Sequence, residues 1–87
     1  MSKSVAEQML DPLEAGETYL HLDADLDEVG TLPAAQLRLH AMAELLRFSA
    51  ENGYDVTRGP WVRKLHLPEY PGDATWAKVV AIGRPIV

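Results

Sequence analysis

The sequence predicts a small α+β domain, a two-layer sandwich of one long helix on a mixed or antiparallel sheet of three to four strands. Three observations predict it. Within residues 17–26, Leu20, Leu22, Ala24 and Leu26 alternate with Tyr19, His21, Asp23 and Asp25. Apolar residues then recur at steps of three and four over residues 32–52, and after Gly53 the period returns to two. Alternation is the signature of a strand with one dry face, and three-four spacing that of a helix with one dry stripe. A chain of 87 residues and 9.6 kDa has room for one such core and no second domain.

The elements follow in order. Residues 1–16 form an arm or short helix: Val5, Met9, Leu10 and Leu13 have roughly helical spacing, but Pro12 stops a longer helix and Gly16 punctuates the segment. The remaining residues, 17–87, form the single α+β domain. Residues 17–26 make the first strand, with Leu20, Leu22, Ala24 and Leu26 on one face and Tyr19, His21, Asp23 and Asp25 on the other. Residues 27–30 turn the chain. Thr31 suits an N-cap and Pro33 the first turn, so a helix is expected from Leu32 to about Asn52. Its expected core stripe is Leu32, Ala35, Leu39, Met42, Leu46 and Ser49, widened by Leu45 and Phe48. Gln36, His40, Glu44, Arg47 and Glu51 form the wet stripe, and Gly53 is placed to end the helix in the left-handed conformation.

Beyond Gly53, residues 54–58 read as a strand, Gly59-Pro60 as a break and residues 61–67 as another strand. Residues 68–73, with two prolines, read as a loop, and residues 75–83 as the last strand. The order is β-α-β-β-β. The last strand is apolar on both faces: Trp76, Lys78, Val80 and Ile82 on one, Ala77, Val79 and Ala81 on the other. Such a strand belongs in the centre of a sheet with both sides covered. One helix covers one side, so the other is covered either by Val5, Met9, Leu10 and Leu13 of the N-terminal segment or by a second protein surface.

That second face carries the functional expectation: a non-catalytic protein-interaction or assembly module, such as a small acidic adaptor, subunit or inhibitor of the kind phages use as accessory proteins. It would bind a protein partner or a second copy of itself through the sheet face opposite the helix. Trp61, Trp76, Val80, Ile82 and Tyr70 are the expected anchors, with Arg58, Arg63 and Lys64 at the rim. Within residues 61–67, strict alternation sets Trp61 and Arg63 on one face and Lys64 on the other.

An alternative is a nucleic-acid-binding module using the Arg58–Lys64 segment, where Trp61 could stack a base and the cations could meet phosphates. The formal net charge of −5 argues against it. Residues 1–33 hold one Lys against eight Asp and Glu, and residues 34–87 hold seven Lys and Arg against five acids. That asymmetry suits orientation against a protein partner.

A weaker alternative is a metal site at His21, Asp23 and Asp25, whose neighbouring side chains stand about 7 Å apart on one strand face. A calcium loop opening at Asp23 fails, because Glu28 stands where the loop needs Gly and Ala34 where it needs Glu. No cysteine is present, and neither a nucleophile elbow nor a phosphate loop can be read. No cofactor and no catalytic residue are therefore expected. With no apolar run long enough to span a membrane and no apolar leader, the expected location is the cytoplasm and no membrane partner is expected.

Overall fold

The computed structural model describes Ser4, Ala6, Glu7 and residues 11–87. Val5, Met9 and Leu10 lie outside the described residues. Strand β1 (Thr18–Asp25) leads through a short 3-10 turn (Asp27–Val29) into helix α1 (Ala34–Glu51), followed by strands β2 (Tyr54–His66) and β3 (Trp76–Pro85). The sheet has three strands in the order β1-β3-β2, and both outer strands run antiparallel to β3. Helix α1 therefore carries the chain from one edge of the sheet to the other, and the last strand fills the gap. This is the predicted two-layer α+β fold with the two-sided apolar strand at its centre.

Two predicted strands are one. Residues 54–66 pair with β3 along their whole length, so the order is β-α-β-β. Gly59-Pro60 does not end the strand. Between the pairs Arg58↔Ile82 and Trp61↔Val80, three steps on β2 match two on β3, so a bulge absorbs the extra residue. Pro60 is tolerated because β2 is an edge strand, where a missing N–H need not break a ladder. Two more bulges fall between Val56 and Arg58 and between Val62 and Lys64.

The helix begins two residues later than expected and turns a different side to the sheet. Pro33, not Thr31, occupies the N-cap position, and no side chain caps the helix there. The backbone amides of Gln36 and Leu37 donate to the Pro33 carbonyl at 2.9 and 3.0 Å. Gly53 adopts φ +79° and ends the helix as expected. The buried stripe is Leu37, Ala41, Leu45 and Ser49. Of the predicted stripe and its flanks, Leu45 and Ser49 are buried and Leu32 and Met42 pack at the margin, while Ala35 is exposed. Leu39, Leu46 and Phe48 stay 62, 46 and 43% exposed.

The physical reason is side-chain size. The face of the sheet that meets the helix is built from Ala24, Ala77, Val79 and Ala81, all buried. Ala41 and Ser49 let the helix backbone sit close on it, whereas the bulkier Leu39–Leu46 row would hold it away. Close packing on both sides wins over burying more leucine. Leu20, Leu22, Val56, Val62 and Leu65 close the margins of this core. The turn before the helix is tied to the start of β3: the Thr75 amide donates to Asp27 Oδ1 at 2.7 Å, and the Leu26 amide to the Thr75 carbonyl at 2.9 Å.

Candidate functional site

The face of the sheet away from α1 is ordered by the ladder. Paired residues share a face, so its rows run from β1 through β3 to β2. They are Tyr19–Ile82–Arg58, His21–Val80–Trp61, Asp23–Lys78–Lys64 and Asp25–Trp76–His66. Trp61, Trp76, Val80, Ile82 and Arg58 thus come together on one face, as the sequence places them.

Lys64 joins them, against the expectation that it points to the helix side. The bulge between Val62 and Lys64 adds one residue, and one residue reverses every side chain that follows. Arg63 is the extra residue. It is exposed and lines an open trough of about 440 Å³ with Tyr19, Leu20, His21, Leu22, Asp23, Lys78 and Val80.

The two ends of this face differ. Ile82 is fully buried although α1 lies on the other side, so it is withdrawn from the contact role expected of it. The residues preceding β1 are fastened at that end. Arg58 Nη2 donates to Glu17 Oε1 at 2.9 Å and to the Pro12 carbonyl at 3.2 Å, and Nη1 lies 4.0 Å from Asp11 Oδ2. Arg58 is therefore spent on an internal tie rather than presented at a rim. The Thr57 hydroxyl also donates to Glu17, the Glu14 amide does so at 2.7 Å, and Arg84 pairs with Glu14 at 3.0 Å. Led by the Thr57 hydrogen bond and aided by the Glu14 amide and the Arg58 cation, this setting holds the Glu17 carboxyl down at about 2. Leu13 remains 39% exposed, so it does not seal the sheet.

The other end is open. Val80, Trp61 and Trp76 are half-buried, and Lys78, Lys64, Arg63, His21 and Asp23 are exposed. Trp76 stacks on His66, with centroids 5.2 Å apart and 12° between the rings. Lys64 Nζ lies 5.4 Å from the Trp76 ring centroid, within cation–π range. A carbonyl can only accept, so the 3.0 Å contact of His66 Nδ1 with the Ala74 carbonyl places a proton on Nδ1. His66 Nε2 lies 3.9 Å from Asp73 Oδ2, so the ring ties the 67–75 loop to the sheet.

Tyr70 lies outside the strands. It sits in that loop, 73% exposed, with its carbonyl accepting from the Asp73 amide at 3.1 Å. His21, Asp23 and Asp25 share the open face, but among the described residues no three His, Asp or Glu side chains converge to hold a metal ion. Asp25 is drawn away to accept from the Asp27 amide at 3.0 Å. Among the described residues, no helix is long and apolar enough to cross a membrane.

Sequence reasoning left three members out of the site. Tyr19 and Lys78 were legible from alternation, since they share parity with His21 and Val80. His66 was not, because its face depends on the bulge before Lys64. The chain matches no protein-family model, no curated protein and no solved structure.

Proposed function

We propose that this chain is a non-catalytic protein-interaction module that binds through the open end of the sheet face opposite α1. Its partner would be a protein surface with carboxylates between two apolar patches. The observation that carries this reading is the interleaving of half-buried Trp61, Val80 and Trp76 with three exposed cations, Arg63, Lys64 and Lys78, on one face. Among the described residues none of the three forms an ion pair within its own chain. Large aromatic anchors beside cations that lack an internal ion pair suit a protein surface that brings carboxylates.

Two features support a binding role over a catalytic one. Glu17, whose carboxyl is held low, serves a tie between Arg58 and Thr57 rather than an acid–base pair. The trough beside Arg63 is open to solvent rather than an enclosed site that would exclude water from a reaction. Nucleic acid is the weaker reading: Arg58 of that segment is engaged with Glu17 and the Pro12 carbonyl, and the net charge of −5 repels phosphate at range.

The test is site-specific photo-crosslinking in native host cells. A crosslinking phenylalanine derivative at Trp61 is expected to trap protein. The same group at Arg47, on the exposed side of α1, is expected to trap little. Adducts with nucleic acid from position 61, or protein adducts from position 47 alone, would overturn the reading.

A further inference from the structure

We propose that the partner is a second copy of this chain, packed face to face so that Asp23 of each protomer lies against Lys64 of the other. The inference rests on the reading that the open sheet face is the binding surface, and it names the occupant.

The order of side chains across the strands carries it. In the third row Asp23 stands on β1, Lys78 on β3 and Lys64 on β2. In the row beside it Asp25, Trp76 and His66 stand in the same order. Asp23 thus stands at one edge of the face and Lys64 at the other, with Val80 and Trp76 on the strand between. Such a face is complementary to itself under one two-fold axis and repels itself under another.

An axis parallel to the strands lays β1 of one copy over β2 of the other and β3 over β3. Asp23 then faces Lys64, His21 faces Trp61, and Val80 meets its own copy. An axis across the strands sets β1 on β1 and β2 on β2, so carboxylate meets carboxylate and Lys64 meets Lys64. Charge selects the first arrangement. Lys78 falls on the axis row opposite its own copy. It is exposed, and its flexible stem can carry the ammonium sideways between the two Asp23 carboxylates. The result is a four-layer assembly, helix, sheet, sheet, helix, with the sheets about 10 Å apart.

Residues 11–17 occupy the Ile82 end, so three rows remain for contact. With strands about 4.8 Å apart and rows about 7 Å apart, the patch is on the order of 14 by 20 Å. A patch of that size is smaller than a stable dimer buries, so the pair forms only at high concentration. The dimer is therefore expected to depend on concentration and on salt.

The experiment is sedimentation equilibrium of the full chain from low micromolar to millimolar concentration, at low and high salt. The expected result is a monomer–dimer equilibrium that salt weakens. Lys64→Glu alone and Asp23→Lys alone should each weaken it about ten-fold or more, and the double variant should recover most of the loss. Both positions are exposed, so circular dichroism should confirm that each variant folds.

A monomer at every concentration would overturn the second-copy inference; protein adducts from position 61 would still uphold the parent reading, with a different partner. A dimer indifferent to Lys64→Glu but lost in Leu39→Gln with Leu46→Gln would place the interface on the exposed side of α1 and overturn this inference. Failure of the double variant to recover association would remove the Asp23–Lys64 pairing.

Discussion

Arg58 Nη2 lies 2.9 Å from Glu17 Oε1, and the Glu17 side chain is only 2% exposed. The pair joins the segment before β1 to the first part of β2, far apart in sequence, and closes the Ile82 end of the sheet. It gives the fold an acid sensitivity with a definite sign. The folded state holds the Glu17 carboxyl at about 2, against 4.5 for an ordinary glutamate. Above pH 4.5 both folded and unfolded chains are ionised, and the full stabilisation is present. As pH falls from 4.5 towards 2, the unfolded chain takes up the proton first and the stabilisation is lost. Glu17→Gln removes the ionisable group, so its denaturation midpoint should lie below the natural chain's at pH 7 and converge on it in acid. Parallel pH profiles of the two proteins would refute the assignment.

The helix supplies the second prediction. Leu37 is 1% exposed and Leu39 is 62% exposed, although the sequence points to Leu39 as core. Leu37→Ala should cost about 2–5 kcal/mol, the range for a buried leucine whose cavity only partly collapses. Leu39→Ala should cost under about 0.5 kcal/mol, as surface changes do. Urea titrations of the two variants decide between the stripes. A larger loss at Leu39 would mean that the helix is rotated from the arrangement described.

These two elements mark how far the sequence carries. β1 was legible because Leu20, Leu22 and Ala24 alternate with strongly polar neighbours, and a slip by one residue would bury His21 and Asp23. The helix was legible as a helix but not in its rotation. Its apolar arc holds two stripes, the buried Leu37–Ala41–Leu45–Ser49 and the expected, bulkier Leu32–Ala35–Leu39–Met42–Leu46–Ser49, and only the small residues on the sheet choose between them. The same holds for the binding face. Trp61, Trp76 and Val80 were placed by period, whereas Lys64 and His66 were displaced by a bulge that leaves no mark in composition. Gly59-Pro60 advertised a break and sits in a continuous edge strand, because pairing with the central β3 outweighs a local turn signal.

Close approach on the central strand gives the third prediction. A Cβ placed on Gly83 would lie 2.6 Å from the Asp55 carbonyl oxygen and 2.8 Å from Leu20 Cδ1. The first neighbour is backbone of the adjoining strand and cannot turn aside. Gly83→Ala should therefore destabilise the fold by about 1–3 kcal/mol, the cost of overpacking a filled site, despite alanine's lower entropy cost on folding. Gly72→Ala is the control: it has open space at its Cβ but φ +86°, so its cost is backbone strain on an exposed loop. Thermal unfolding should leave the Gly72 variant two-state. In the Gly83 variant, amide exchange should quicken where β1 and β2 flank that residue, and unchanged exchange there would contradict the close packing.

The last prediction runs towards stability. Ser49 is 2% exposed on the face of α1 that meets the sheet, and among the described residues its hydroxyl has no hydrogen-bond partner. An unsatisfied buried hydroxyl costs roughly 1–3 kcal/mol of desolvation with nothing returned, and serine is a poorer helix former than alanine. Ser49→Ala removes the oxygen, keeps the Cβ and leaves a space smaller than a methyl group. The expected result is a gain of about 0.5–2 kcal/mol in urea, with an unchanged slope. Ser49→Val separates the two contributions: it also removes the hydroxyl but adds bulk at the closest approach of helix and sheet, and should lose stability. If Ser49→Ala instead destabilises the chain, the hydroxyl has a partner in solution, and the preceding helical turn, whose carbonyl at Leu45 is the nearest acceptor by helical geometry, is where to seek it.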